Sequence, residues 1–362
     1  MLQRTPLHAR HQAAGAKLVD FAGWEMPLNY GSQIREHEQV RSRVGIFDVS
    51  HMGVVDVTGS QALAFLQYAL ANDPARMGEP GQAFYTCMLN HDGGILDDLI
   101  VYFVAPERYR IVVNAARRQE DIAWLSEQTA GFDARVDERA EMALVAIQGP
   151  QAESVLSQCV GAELAAALPE LKPFRCLEAG DWLVARTGYT GEDGFEIALP
   201  GETAGPLWDA LEAAGAAPCG LGARDSLRLE AGLCLYGQDM DTTTTPLEAA
   251  LGWTVAWQPE DRDFVGRTAL ERQRAAGVSQ RLVGLVLDGR GVLRHDQTVR
   301  SDQGGTGTIT SGGYSPMLER SIALARIPVG DDGPWHVDMR GRALPVRRVK
   351  PPFVRNGQPV ID

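Results

Sequence analysis

The chain carries 362 residues, 47 acidic against 34 basic side chains, a formal charge of −13 and 44% hydrophobic residues. At about 150 residues per domain that length suffices for two or three domains, and a charged fraction of 22% excludes general disorder. The acidic balance argues against nucleic-acid binding, and the longest apolar run, the seven residues 99–105, is far below the ~18 of a membrane span.

In chain order, the opening MLQRTPLHARHQ lacks the apolar core of a secretory signal. Apolar residues at three-to-four spacing predict helices over 33–44, 60–71, 116–128, 151–160 and 204–214. Strands are predicted over 53–57, 95–104, 109–113, 142–147, 182–187 and 195–199. A last helix, 268–276, ends at Gly277 and leads into a linker. Beyond it, short strand candidates at 282–287, 306–310, 322–327, 335–339 and 343–349 alternate with Gly, Asp and Pro clusters, the texture of a small all-β unit. The predicted class is α+β, with a body over 1–275 and a β domain over 280–362.

Three segments carry candidate chemistry. In Gly93-Gly94-Ile95-Leu96-Asp97-Asp98, a glycine turn feeds a strand whose alternation sends Asp97 and Asp98 to opposite faces. Asp98 then shares a face with Ile100 and Tyr102, and Asp97 one with Leu99 and Val101. Each acid either bonds turn and neighbouring backbone or lines a pocket that receives an amine. In the glycine-rich 186–196, Glu196 is either a solvated hairpin residue or a carboxylate able to accept two parallel N–H bonds from an amidine-like edge such as a pterin. The segment 220–230 is a loop entering a helix, and Arg224, Arg228 and Glu230 suit surface ion pairs. Arg224 near the helix start opposes the macrodipole, which hints at another use. Tyr236 and Met240 are expected in the core.

Other chemistries are not signalled. There is no G-x-x-x-x-G-K-[ST], no H-E-x-x-H and no G-x-S-x-G, and 304–313 lacks the third glycine of a dinucleotide loop. Seven scattered histidines and five cysteines (87, 159, 176, 219, 234) without C-x-x-C spacing predict neither a metal site nor a disulfide framework, and suit a reducing, cytoplasmic setting.

Taken together, RTPLHARH, KLVDFAGWEMPLNYG, GIFDVSHMG, GGILDDLIVY, VVNAA, AIQGPQA, RTGYTGEDGFEIALP, PCGLGARDSLRLEAGLCLYGQDMD, GWTVAW, FVGR, ITSGGYSP, SIALARIP and KPPFVRNG resemble the aminomethyltransferase (T-protein) family of the glycine cleavage system, over almost the whole chain. The stretch 317–320 and the short tail after Pro352 depart from the family pattern, which bears on tail contacts to a ligand. The resemblance implies a three-lobed arrangement around a folate channel. Its first two domains are sequence-discontinuous and its third is a β-barrel or jelly roll. It implies transfer of a one-carbon unit from the aminomethyl-dihydrolipoyl arm of H-protein to tetrahydrofolate, the acceptor substrate, with release of ammonia. Metal, nucleotide, nucleic acid and membrane have no part in it.

By match to the family motifs, Asp98 is the catalytic carboxylate and Asp97 a structural one. Glu196 and Arg224 are pterin contacts, and Tyr85, Tyr102, Asn114, Tyr189, Tyr236, Trp253, Met52 and Met240 are further pocket candidates. Arg290 and Arg294 are candidates for H-protein or its lipoyl arm. Since folate and H-protein are both expected to be acidic, an acidic chain must concentrate basic residues locally, and Arg224, Arg290 and Arg294 are the places to look. Two alternatives stand beside this expectation, a folate-dependent demethylase and a non-enzymatic folate-binding protein of iron–sulfur maintenance. Against them, there is no flavin domain, and 187–192 has no cysteine.

Overall fold

The computed structural model describes residues 1–361. The chain divides into two compact units, each assembled from separate stretches: 1–66, 74–85 and 99–225 form the first, and 67–73, 86–98 and 226–362 the second.

The first unit holds a six-stranded sheet in the order Cys176–Ala179, Trp182–Ala185, Gly194–Pro200, Met142–Gln148, Gly45–Asp48, Ala217–Pro218. The centre of this sheet is buried on both faces. Every residue of Met142–Gln148 is buried, so the sequence there reads as a continuous apolar run rather than an alternation. The helices Ala152–Cys159 and Gly201–Ala213 cover it with Val155, Leu156, Leu207, Trp208 and Leu211 in one core with Val145, Ile147, Phe195 and Ile197. A helix over Gln33–Ser42 starts where the Ser32 hydroxyl accepts the Arg35 N–H at 3.3 Å. A second sheet has the order Ala83–Leu89, Ile95–Ala105, Arg108–Val113, Gly53–Thr58, Arg135–Glu138. Along Ile95–Ala105 the chain passes from the second unit to the first after Asp98.

The second unit contains a closed six-stranded barrel: Gln280–Leu287, Arg320–Pro328, Thr306–Ser315, Thr298–Ser301, Trp335–Met339 and Arg342–Val349. Closure comes from Gln280–Leu287, which pairs with both Arg320–Pro328 and Arg342–Val349 and so leaves no open edge. Alternation decides the two faces. Leu285 and Leu287 join Val299, Ile309, Ala323, Ala325 and Val337 inside, whereas Val286, Ile322 and Leu324 pack outside against Leu229, Phe353 and Val354.

The α+β class and the carboxy-terminal barrel agree with the sequence expectation. A helix at His8–Ala13 and a hairpin of Lys17–Phe21 with Trp24–Asn29 were not expected from the sequence, because elements this short give periodicity little room to stand out. The helix expected over 204–214 begins earlier, at Gly201, directly after Pro200, and carries Pro206 inside it at the expense of one backbone hydrogen bond.

Candidate functional site

In the second unit, the turn before the two aspartates is fixed by its glycines. Gly93 has φ +84°, and a Cβ on Gly94 would lie 1.9 Å from the Thr242 carbonyl oxygen. Asn90 closes the turn, its side-chain oxygen accepting from Asp92 N at 3.0 Å and Gly94 N at 2.9 Å. The strand that follows alternates cleanly at its start: Ile95, Asp97, Leu99 and Val101 are buried, while Leu96, Asp98 and Ile100 are half-buried. Asp97 has no exposed surface.

The segment 234–240 lies against this strand. Tyr236 donates its hydroxyl to the Ile95 carbonyl at 3.1 Å and pairs through its backbone with Met240, which is buried. The expectation of a core tyrosine is therefore corrected: Tyr236 is half-buried and its hydroxyl is tied to the aspartate strand. Asp239 anchors the segment. Its Oδ2 accepts from Arg228 Nη1 at 2.9 Å, Leu235 N at 2.8 Å and Ser311 Oγ at 2.8 Å, and its Oδ1 from Thr310 Oγ1 at 2.5 Å. Two consecutive hydroxyls reach one carboxylate because the register of Thr306–Ser315 slips between Ile309 and Ser311, a bulge that re-aims Thr310. Arg228 and Glu230 are thus not surface ion-pair residues. Arg228 is 1% exposed, and Glu230, wholly buried, accepts from Ser315 Oγ at 2.5 Å and Met317 N at 3.1 Å.

Of the remaining candidates in this unit, Trp253 is 65% exposed. Arg290 and Arg294 are exposed on the loop between Gln280–Leu287 and Thr298–Ser301, and among the described residues neither has an ion-pair partner. All five cysteines of the chain are free, and Cys87 and Cys234 are buried in this unit.

In the first unit, Glu196 is 9% exposed, so it is not a solvated hairpin residue. Thr187 donates its hydroxyl to Glu196 Oε2 at 2.6 Å, and the Tyr102 hydroxyl lies 3.3 Å from Thr187 Oγ1. Because the Thr187 proton is committed to the carboxylate, Tyr102 is the donor to Thr187. Burial first, and then the charge of Glu196, push the Tyr102 phenol well above its ordinary value, so it keeps that proton. The relay engages Oε2 of Glu196, and a carboxylate held through one oxygen can accept an N–H from a ligand through the other.

Arg224 lies in the helix Leu221–Glu230, as expected. Its guanidinium carbon is 4.6 Å from the Tyr189 ring centroid and its Nη2 is 3.9 Å from the Met52 sulfur. Tyr189, Met52 and Arg224 thus form one cluster, a flat cationic and aromatic surface suited to stacking on a heterocycle. Tyr85 and Asn114 are half-buried in the same unit.

Two residues at this cluster carry no motif in the sequence. His51, next to Met52, is 3% exposed, with its Nδ1 unpaired and its ring edge-on to Phe21 at 5.5 Å. Burial, then the charge of Arg224, lower its pKa to about 4, so it is neutral at pH 7. Gln148 reaches across the glycine-rich loop: its Nε2 donates to the Thr187 carbonyl at 3.1 Å, and its Oε1 accepts from Thr190 Oγ1 at 2.7 Å. A Cβ on Gly188 would meet that amide at 2.0 Å, which is why glycine stands there. A groove of about 460 Å³ lined by Gln3, Trp24, Arg118 and Glu138 contains none of the candidate residues.

The GCVT N-terminal domain model matches residues 7–259, and the glycine cleavage T-protein C-terminal barrel domain model matches 280–355. The chain belongs to the aminomethyltransferase family, the glycine cleavage T-proteins. It is 54% identical over 358 residues to an aminomethyltransferase of Nitrosococcus oceani, covering 99% of this chain and 96% of the relative. It is 55% identical over 361 residues to one of Chromobacterium violaceum, with 99% of each chain covered. The crystal structure of the glycine cleavage system aminomethyltransferase T from Bartonella henselae superposes with a TM-score of 0.91, 38% identity and 99% coverage of both chains. As a member of the family the chain is a transferase enzyme of the glycine cleavage system, and the demethylase and iron–sulfur alternatives are not favoured.

Proposed function

We propose that this T-protein takes the aminomethyl group carried as a thioether on the dihydrolipoyl arm of H-protein and passes its carbon to tetrahydrofolate. The carbon loses its bonds to sulfur and to the amine nitrogen and gains two bonds to folate nitrogens. The two folate N–H protons leave with ammonia and the arm thiol, so nothing is oxidised or reduced. Tetrahydrofolate is a substrate here. Metal and nucleotide have no role in the proposed step, and among the described residues no His, Cys, Asp and Glu group suited to a metal is found.

Asp98 is proposed as the carboxylate that orients the attacking folate nitrogen, accepts its proton and stabilises the iminium character of the moving carbon. The supporting observation is the contrast within its strand: Asp98 is half-buried on one face and Asp97 is sealed on the other. Glu196, backed by Thr187, is proposed to accept N–H bonds from the pterin edge. Arg224 with Tyr189 and Met52 is proposed to bind its ring, and Tyr85, Tyr102, Asn114, Tyr236, Trp253 and Met240 to shape the pocket. Arg290 and Arg294, exposed on the barrel, are proposed to meet acidic H-protein or its arm. A cytoplasmic setting is proposed with it; no described helix is long and apolar enough to cross a membrane.

The test is ammonia release from authentic aminomethylated H-protein, which should depend on tetrahydrofolate. Ammonia release at the same rate without folate, or tight folate binding with no turnover, would overturn the reading.

A further inference from the structure

The helix Gln33–Ser42 touches both sides of the Arg224–Tyr189 stack through side chains that the proposed chemistry does not use. At its carboxy-terminal end, Arg41 is 5% exposed, and its Nη1 donates to the Thr190 carbonyl at 2.7 Å and to Glu192 Oε1 at 2.6 Å. Those acceptors follow directly on Tyr189 in the glycine-rich loop. One turn earlier, Glu36, 6% exposed, accepts from Tyr30 N at 2.7 Å through Oε1 and from Gly220 N at 2.9 Å through Oε2. Gly220 opens the helix of Arg224, and its carbonyl accepts the Arg224 N–H at 3.1 Å. A Cβ at Gly220 would lie 2.4 Å from the Leu28 backbone, so that entry has no room to shift.

We propose that Arg41 is a positioning residue for folate: with Glu36 it makes the helix Gln33–Ser42 a spacer that sets Tyr189 against Arg224. Two buried charges of opposite sign, on a rigid element, each grip one of the two segments that supply the stack. The Tyr189 side is held twice, because Gln148 fixes Thr187 and Thr190 while Arg41 fixes Thr190 and Glu192. Burial makes the Arg41 grip demanding: both side chains of the Arg41–Glu192 pair are under 5% exposed, so losing one strands the other. A loop so held is pre-organised, and its ordering is not charged against ligand binding. The inference rests on the proposed folate role of Arg224 and Tyr189.

The experiment measures the KM for tetrahydrofolate, the KM for aminomethylated H-protein and kcat in full-length Arg41→Lys, the double variant Arg41→Met/Glu192→Met, and Arg224→Ala as reference. The double variant removes both members of the Arg41–Glu192 pair together. It should raise the folate KM about tenfold, leave the H-protein KM unchanged and change kcat little. Arg41→Lys, which keeps the charge, should recover part of that loss. A folded double variant with wild-type folate KM overturns the inference, as does equal damage to both KM values or loss of fold in both Arg41 variants. If Arg224→Ala itself leaves the folate KM unchanged, the folate role of Arg224 fails instead.

Discussion

Asp97 and Asp98 are consecutive in one strand and live in different surroundings. Asp97 has no solvent contact, while Asp98 stands half-buried on the opposite face with Leu96 and Ile100. A one-residue shift in register would exchange the two, and the glycine turn at 93–94, pinned by Asn90 and by the Thr242 carbonyl, prevents it.

That difference separates two phenotypes. Asp98→Asn is expected to lower kcat by ~100-fold or more, the scale of a lost proton-transfer group, with folate affinity and melting temperature near wild type. Asp97→Asn is expected to show instead as lost stability of ~1–3 kcal/mol, the cost of disturbing a buried polar group. Steady-state ammonia release, folate titration and denaturant unfolding check it; an inactive Asp97→Asn beside an active Asp98→Asn would reverse the assignment.

Thr187 donates to Glu196, and it is itself fed by Tyr102. Thr187→Val keeps the shape but removes the donor, leaving Oε2 of a buried carboxylate without its bond. The folate KM is expected to rise ~5- to 30-fold, corresponding to a loss of ~1–2 kcal/mol. Tyr102→Phe should have a smaller effect in the same direction, since it acts one bond further away. Equal KM values for Thr187→Val and wild type would remove Glu196 from the binding site.

His51 gives the first unit an acid sensitivity with a defined sign. Its pKa is about 4 when folded, through burial and then the charge of Arg224, against an ordinary 6.5 when unfolded. Between those values the unfolded chain holds a proton that the native chain does not, so stability is full above the unfolded pKa and falls as pH drops from 6.5 toward 4, by ~3 kcal/mol. Asp48 does not mask this. Burial raises its pKa, but its bonds from His11, Thr5 and Ser50 outweigh burial and leave it lowered, so its contribution is lost only at more acid pH. Urea unfolding at several pH values should show the slope in wild type and a shallower one in His51→Gln; parallel curves would exclude His51 as the source.

Arg262 holds the stretch 67–73 in the second unit. Its Nη1 donates to the carbonyls of Gln67, Leu70 and Asn72 at 2.9, 3.2 and 3.1 Å, and its Nη2 to those of Ala71 and Ala256 at 2.7 and 2.9 Å. Arg262→Met removes the donor from all five at once and is expected to cost at least ~3 kcal/mol, seen as a drop in melting temperature. A change below ~1 kcal/mol would mean that the segment is held by its apolar contacts alone.

The barrel was legible because its apolar runs are punctuated by Gly, Asp and Pro, and the aspartate strand because its glycine turn and period of two are both local signals. Burial of charged residues was not legible. Arg228, Glu230, Arg41 and Glu36 look like helix-surface residues, and partners such as Asp239, Glu192 and Gly220, 11 to 184 positions away, help to explain why they are inside. The division of the chain was equally hidden, since 67–73 and 86–98 join a unit whose main part begins at 226. His51 and Gln148 carried no motif of their own. They lie in the SHMG and AIQGPQA blocks, where family resemblance singled out a segment but not the residue that matters.

The free cysteines acquire a meaning from the proposed reaction, which ends with a new thiol on the arm. A cysteine thiolate near the moving carbon would be a rival nucleophile and a partner for disulfide exchange. Burial first, and then the charges of Asp98 and Asp97, push the Cys87 thiol far up; burial, followed by Asp239 and Asp98, does the same for Cys234. The acid proposed to drive the transfer therefore adds to the burial that disarms both thiols. The enzyme can handle a sulfur-borne substrate while keeping its own sulfur chemically silent.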